Sequence, residues 1–526
     1  MTRINSNIPS LIARANLGRA NEELDLRLQR LSTGLRINRG SDDPAGLIVS
    51  ERLRSDIEGV KQGIRNADRA SNVIATTEGS LAEVNDLLNS VRALVVEAAN
   101  TGAFSPEEIE ANQAQIDSAI DSITRISNTA TFGGLKLLNG SLDYTLSGVS
   151  ASAISRTSVR GASFLNASSL DVQVDVVASA QKGSLYLSGT LGSADGSNFG
   201  VVASDTTLRV RGPDGVIELS FSSGVALADV VTGINNQASF TGVEAALINN
   251  DPTSGLVFRS TGFGTNEFVS VERVGGPADS ATSWFQLVKF DDGAPFVEPT
   301  PFWADAAVNT NVTAAKRDAG QDVQALINGA LGRGDGLNVS LDTPSLAVDM
   351  LLSEDLGTLA GAPGNVSTSY SITGGGALFQ LGPEVTAQQQ VNIGVQSIAA
   401  SLLGGNLNNG QLEFLSSLKT GGANDLETSA DRGNFAPTSQ ILENAIDEVS
   451  QVRGRLGAFE RNVLQTNVRS LQASFENLSA SVSSIRDADF AFETSELTRS
   501  QILTSSTTQI LSLANQQSQQ VLQLLG

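Results

Sequence analysis

At 526 residues, with 40% hydrophobic content and a net charge of -22, the chain is long enough for several soluble domains and too acidic overall to cover nucleic-acid phosphates. It contains no His and no Cys, which removes disulfides, thiolate zinc sites and the commonest general base and metal ligand. Without a run of 18 apolar residues it offers no membrane span, and catalysis would fall to carboxylates, Lys, Ser or Tyr.

The opening Met1-Thr2-Arg3-Ile4-Asn5-Ser6 lacks the apolar core of a secretory signal, so export would take another route. From 8 to 37, Ile8, Leu11, Ala15, Ala20, Leu24, Leu28, Leu31 and Leu35 recur mostly three or four apart, which predicts a helix stopped by Asn38-Arg39-Gly40. Ser41-Asp42-Asp43-Pro44 then supplies capping side chains and a first-turn proline for a second helix. Between 60 and 98 the spacing becomes a heptad: Val60, Ala67, Ile74, Leu81, Leu88 and Val95, with Gly63, Ala70, Thr77, Val84, Val91 and Ala98 in the companion position. Such a segment spans about 58 Å at 1.5 Å per residue. Ser105-Pro106-Glu107-Glu108 opens a third helix whose face carries Ile109, Ile116, Ile120, Ile123 and Ile126.

Thr131-Phe132-Gly133-Gly134-Leu135 marks a change to turns and strands. Leu170, Val172, Val174 and Val176 alternate with Asp171, Gln173 and Asp175, predicting a strand with one wet face. Leu208 and Val210 face Ile217, Leu219 and Phe221 across Pro213-Asp214-Gly215, the pattern of a hairpin. A short helix at 227–236 and strands near 243–248 and 255–260 follow. Asp229-Val230 with Ile234-Asn235 recurs as Asp322-Val323 with Ile327-Asn328, which reads either as a repeated strand and helix unit or as chance. Trp284 and Trp303 are expected in the core of this middle region. Residues 141–390 carry 25 acidic and 11 basic side chains, whereas residues 1–60 carry 9 Arg against 8 acids. The middle is therefore the strongly solvated part.

The last segment returns to helix and has no proline after residue 438. Val449, Val452, Leu456, Phe459 and Val463 keep one phase, and Val468, Leu471, Phe475, Leu478, Val482 and Ile485 keep another. A slip between them lets a helix change partners. Beyond it Ile502, Leu503, Ile510, Leu511, Leu513, Val521, Leu522, Leu524 and Leu525 lie on a Ser, Thr and Gln background, weakly apolar enough to await a partner.

No motif for chemistry survives inspection. Asp487, Asp489 and Glu493 lack the turn glycine and final Glu of a calcium loop, and Gly374-Gly375-Gly376 lacks the Lys of a phosphate loop. An inserted metallopeptidase would need His-Glu-x-x-His. Heptads usually mean an intramolecular bundle, but seams at both ends, with the middle displayed beyond them, suit a subunit packed by its ends. The predicted fold is mainly α at both termini, a long antiparallel coiled coil or bundle of N- and C-terminal segments, with an inserted β-rich α+β middle.

These ends resemble bacterial flagellin. The N-terminal run is Leu28-Gln29-Arg30-Leu31-Ser32-Thr33-Gly34-Leu35-Arg36-Ile37-Asn38 with Asp42-Asp43-Pro44-Ala45-Gly46-Leu47. The C-terminal runs are Ile485-Arg486-Asp487-Ala488-Asp489-Phe490-Ala491 with Glu493, Leu497-Thr498-Arg499, Gln501-Ile502-Leu503, Ala514-Asn515-Gln516 and Val521-Leu522-Gln523-Leu524-Leu525. Residues 219–247, with Ser223-Gly224, Leu227-Ala228-Asp229 and Ile234-Asn235-Asn236, resemble the short motif inserted in many flagellins and hook-associated proteins.

The resemblance implies a filament subunit for swimming motility, no enzyme and no cofactor, with a hook-filament junction (hook-associated) protein as the alternative. It implies that 1–42 with 487–526 form an inner tube, that 43–140 with 430–486 form an outer tube, and that 141–429 project outward, divisible into two subdomains. Leu24, Leu28, Leu31, Leu35, Leu81, Leu88, Val95, Phe475, Leu478, Val482, Ile485, Ile502, Leu503, Val521 and Leu522 become candidates for subunit packing. Its implied partners are further copies of itself, the flagellar type III export apparatus, hook-associated and cap proteins, and an export chaperone on Ile502, Leu503, Ile510, Leu511 and Leu522. No nucleic acid or membrane partner is implied, and the product is secreted into the extracellular filament. Innate receptors recognise many flagellins near the segment matching Asn89, Ser90, Arg92, Leu94 and Gln115. Asn89-Ser90 and Gln115 depart from the usual Gln-Arg and Glu there, so weak recognition is expected.

Overall fold

In the computed structural model, residues 7–100, 102, 105–164, 167–188, 200–275, 285–290, 312–359, 361, 364, 366–408 and 411–525 are described. Trp284 and Trp303 lie outside them. Three helices come first: α1 (Ile8–Thr33), α2 (Pro44–Ala98) and α3 (Pro106–Thr129). The middle holds α4 (Leu227–Asn235), α5 (Ala238–Thr241) and α6 (Glu354–Gly357) among strands. After them come α7 (Leu426–Asp431), α8 (Ala436–Phe459), α9 (Gln465–Arg486) and α10 (Phe490–Leu525). The chain divides into two compact units, one of residues 1–71, 380–390 and 460–526, the other of 72–379 and 391–459.

Local chemistry explains the helix limits. Asn7 caps α1 by accepting from Ser10 N at 3.1 Å. The helix stops at Gly34, whose φ of 70° lets its N–H reach the Arg30 carbonyl. The stop therefore comes before Asn38-Arg39-Gly40, because an available left-handed glycine ends a helix sooner than a polar run does. Pro44 opens α2, and Asp43 Oδ1 accepts from Gly46 N at 2.9 Å. Ser105 and Glu108 form the capping box of α3.

The heptad of α2 is buried throughout. Ala67, Leu81, Val84, Leu88 and Val91 are fully enclosed, and so are Ile116, Ile120 and Ile123 of α3 and Ile441, Ala445, Val449 and Leu456 of α8. Burying each large side chain is worth about 1.5–3 kcal/mol, which explains why 55 residues of α2 run without a break. The slip between the two C-terminal phases is a π-helical turn at Glu460–Leu464. Its extra residue passes the core position to Leu464, while Val463 stays half-buried.

The second unit also contains two β cores. In the first, a five-stranded sheet, ordered Ala330–Leu331, Gln324–Ile327, Leu170–Ala178, Ser367–Gly375, Tyr144–Ser147, shares a core with a four-stranded sheet containing Ile154–Ala162 and Leu346–Leu352. Val172, Val174 and Val176 point inward as the alternation predicts, but Asp175 is buried too and accepts from Gln173 Nε2 at 3.1 Å. That strand is central in its sheet, so its outer face is only partly wet. In the second core, sheets built around Gly255–Ser260 and Thr206–Arg211 enclose Leu208, Val210, Phe258 and Val271, with Val230 and Ile234 of α4. The Thr206–Arg211 and Val216–Phe221 hairpin pairs Leu208 with Leu219.

The suspected repeat is not one. Residues 227–235 are helical, whereas Gln324–Ile327 is a strand followed by Asn328 at φ 51°. Val323, Ala325 and Ile327 are all buried, so a period of two governs there and the shared Asp, Ile and Asn are coincidental.

Truncating Leu88 to Ala should cost about 2–5 kcal/mol, seen as an earlier urea midpoint, while Leu28→Ala on an exposed position of α1 should stay within about 0.5 kcal/mol.

Candidate assembly interface

The first unit brings the two ends of the chain together. α1 lies antiparallel along α10: Asn7 Nδ2 donates to the Ala514 carbonyl at 3.1 Å, and at the other end Leu35 bridges Asp487. Small residues permit the approach. Ala13, Ala20, Ser500 and Ala514 are buried, with Leu17, Leu24 and Leu31 half-buried beside them.

One carboxylate fixes the register. Glu493 is 2% exposed and receives Arg27 Nη1 on Oε2 at 2.9 Å and Arg30 Nη1 on Oε1 at 3.1 Å. Both oxygens are thereby engaged by guanidinium donors from α1. At the turn, Arg36 N donates to the Arg486 carbonyl at 2.7 Å and Ala488 N to the Gly34 carbonyl at 2.9 Å. Arg36 Nη2 also donates to the Ile485 carbonyl at 2.5 Å.

Two further carboxylates brace this corner. Asp42 accepts from the N–H groups of Arg39 and Asn38 at 2.9 and 3.0 Å, bonds that hold its carboxyl below the usual range. Arg486 donates to Glu51 at 2.5 Å and does the same for that group.

Large apolar side chains on these helices remain open. Ile8, Leu11, Ile12 and Leu28 of α1, Ile48 and Val49 of α2, and Phe490, Phe492, Ile502, Leu503, Ile510 and Leu513 of α10 are all 40% or more exposed. On α10, Phe492 and Leu503 are eleven residues apart, as are Ile502 and Leu513. Three helical turns take about 11 residues, so these four, with Ile510, run as a stripe beside the face that meets α1. Contiguous exposed apolar surface of this kind marks an interaction site.

The predicted packing residues therefore separate. Leu81, Leu88 and Val95 are enclosed within the chain, so their role is intramolecular and no other copy can reach them. Leu24, Leu31, Leu35, Phe475, Leu478, Val482, Ile485 and Leu511 are half-buried, while Leu28, Ile502, Leu503 and Ile510 are exposed. The side chains of Val521 and Leu522 fall outside those described. The stripe predicted on α1 divides as well: Ile8, Leu11 and Ala15 are exposed, whereas Ala20, Leu24 and Leu31 are covered. Asn89, Ser90, Arg92 and Gln115 are exposed, Leu94 is half-buried, and Arg92 pairs with Glu443 at 3.0 Å. The pairing of Glu493 with Arg27 and Arg30 was not legible in the sequence, where Glu493 stood as part of the C-terminal signature and as a rejected cation-loop residue. Arg27 and Arg30 one turn apart on the first helix, with Glu493 and Glu496 on the last, was the available signal.

Three family profiles match this chain: bacterial flagellin N-terminal helical region over residues 4–143, bacterial flagellin C-terminal helical region over 439–525, and flagellin hook IN motif over 198–262. It is 29% identical to the flagellin of Salmonella typhimurium over 546 residues, and 29% identical to that of Escherichia coli over 542, with 99% of both chains covered each time. The chain belongs to the bacterial flagellin family. Among solved structures, flagellar hook-associated protein-3 of Legionella pneumophila is 11% identical, with 83% of this chain and 98% of that chain covered at a TM-score of 0.31. Matches along 99% of two flagellins favour a structural subunit of the flagellar filament over the hook-associated alternative. No helix among the described residues is long and apolar enough to cross a membrane.

Replacing Glu493 with Ala leaves two guanidinium groups facing one another without a carboxylate. Hydrogen exchange of α1 and α10 should then accelerate, by an amount equivalent to roughly 1–3 kcal/mol, with α8 unchanged. Acid should act on the corner at 34–51 differently. Because the carboxyls of Asp42 and Glu51 are held below their ordinary values of 3.8 and 4.5, their support is complete above about pH 4.5 and is lost as pH falls further. Protection at 34–51, taken relative to the intrinsic exchange rate at each pH, should stay constant from pH 7 to 5 and fall below pH 4.

Proposed function

We propose that the α1 and α10 pair is the part of this subunit that polymerises, with 1–42 and 487–526 forming the inner tube of the filament. On this reading 43–140 with 430–486 form the outer tube, and 141–429 project from it. The observation that carries the proposal is the exposed apolar stripe of Ile502, Leu503, Ile510 and Leu513, together with Ile8, Leu11 and Ile12. A single copy leaves this surface in water, at a cost of about 25 cal/mol per Å² of apolar area, and neighbouring copies would cover it. The α1 and α10 pair leaves polar Ser, Thr and Gln on much of the remaining α10 surface, which keeps an isolated subunit soluble.

Export and delivery belong to the same proposal. The subunit would leave the cell through the flagellar type III apparatus, with a chaperone covering Ile502, Leu503, Ile510, Leu511 and Leu522 until assembly. It would then join an extracellular filament bounded by hook-associated and cap proteins. A catalytic role has no support in the residue inventory, which lacks His and Cys. The receptor-facing segment carries Asn89, Ser90 and Gln115 on exposed positions, and the lack of a cation and a carboxylate there supports weak recognition.

Seeded polymerisation followed by electron microscopy tests the proposal. Full-length protein should elongate filament seeds. Protein lacking 487–526 should remain a soluble monomer that keeps the thermal transition of its β cores and adds nothing to seeds. Normal filaments from the truncated chain would contradict the assignment of the terminal pair.

A further inference from the structure

Two Asn-Gly pairs lie among the described residues, Asn139-Gly140 and Asn328-Gly329, and both asparagines are exposed. The pair Asn409-Gly410 lies outside them. Asparagine is chemically labile, and a following glycine has no Cβ to keep its main-chain nitrogen from attacking the preceding side-chain amide. Gly140 and Gly329 share a left-handed backbone, with φ of 87° and 80°. Neither exposure nor the dipeptide separates the two sites, but their hydrogen bonds do.

Asn328 is held by both ends of its amide. Its Oδ1 accepts from Gln173 N at 2.8 Å, and its Nδ2 donates to the Asp171 carbonyl at 3.1 Å. Because Asn328 N also donates to the Gln173 carbonyl at 2.9 Å, the residue is fastened to the strand Leu170–Ala178 by three bonds. Turning Cγ back onto Gly329 would break the two side-chain bonds. Asn139 has the opposite arrangement. Only its Oδ1 is engaged, accepting from Ser141 N at 3.1 Å, and among the described residues neither Asn139 Nδ2 nor Gly140 N has a partner. Leaving group and nucleophile are both free. The one bond present closes a loop around the Gly140 peptide, and the Ser141 N–H points at the oxygen on which negative charge develops during attack.

We infer that Asn139 is a site of spontaneous deamidation, while its hydrogen bonds protect Asn328. Gly140 N gives its proton to water or hydroxide and forms a bond to Asn139 Cγ, closing a succinimide ring. The bond from Cγ to Nδ2 breaks, and with a proton from water Nδ2 departs as ammonia. Water then opens the ring at Cγ to give aspartate, or at the main-chain carbonyl to give isoaspartate, and nothing is oxidised or reduced. Either product adds one carboxylate to a chain already at -22. Isoaspartate also lengthens the main chain by a methylene between two anchored carbonyls. That of Leu138 accepts from Ser127 Oγ at 2.7 Å and Ile398 N at 3.1 Å, and that of Gly140 accepts from Asp143 N at 3.1 Å. The extra length falls where the chain passes from α3 to the strand Tyr144–Ser147.

Tryptic peptides read the two sites separately. Residues 137–156 hold Asn139 as their one side-chain amide, and residues 318–333 hold Asn328 as their one asparagine. Full-length folded protein is incubated at mildly alkaline pH, sampled over time, digested and measured by mass spectrometry. The mass gain of amide turned to carboxyl should grow in 137–156 at least about tenfold faster than at Asn328, where two hydrogen bonds must open first. Electron-transfer fragmentation should find both isoaspartate and aspartate at 139. In protein unfolded by urea the two rates should converge to within about threefold, because the protecting bonds are gone. Asn139→Gln, whose longer side chain disfavours ring closure, should abolish the gain in 137–156. Equal rates in the folded protein, or faster conversion at Asn328, would overturn the assignment, and a tenfold difference that persists in urea would show that hydrogen bonding is not its cause.

Discussion

The antiparallel pairing of the first and last helices is the constraint on which the rest depends. It brings residue 7 to residue 514 and residue 35 to residue 487, so that nearly the whole chain is a closed excursion from one short corner. Two guanidinium groups on one buried carboxylate set the register of that pairing, and small side chains set its closeness. A register shift of one helical turn would carry Glu493 away from one of Arg27 and Arg30 and so break the pairing of both its oxygens. The two flagellin signature runs are therefore two halves of one structure. Arg30, Gly34 and Arg36 come from the first, and Ile485, Arg486, Ala488 and Glu493 from the second.

The two kinds of seam in this protein do different work. Along α2 the heptad positions are closed within the chain, so they give the helix its length and stability. Along α1 and α10 the apolar positions are only partly closed, and the surplus faces solvent. Filament formation needs both: a subunit that stands by itself and an apolar surface that does not. The β cores between the ends carry most of the acidic excess, with 25 acidic against 11 basic side chains over 141–390.

Much of this was legible in the sequence where a single periodicity ruled. Seven-residue spacing located the core of α2, and the slip between two C-terminal phases marked the neighbourhood of the π turn. Alternating valines at 172–176 located a strand, though its central place in the sheet, which buries Asp175 as well, was not legible. The sequence was less informative where two demands overlap. On α1 the apolar residues serve two faces, so Ile8 and Leu11 joined a stripe with Leu24 and Leu31 that the helix does not keep together. At 322–328, Ile and Asn occur with both helix and strand, and only the buried Val323, Ala325 and Ile327 decide for strand. The Glu493 cluster depends on residues more than 460 positions apart in the chain, and no local pattern brings them together.

The central claim is that the terminal pair is an unfinished surface completed by other copies, while the α2 seam is complete in the single chain. Hydrogen exchange of monomer and filament, read by mass spectrometry on the same preparation, tests it most directly. Protection should rise strongly in 8–33 and 490–525 on polymerisation and change little in 72–98. Equal protection of the terminal helices in both states, or a gain confined to the α2 seam, would contradict the account.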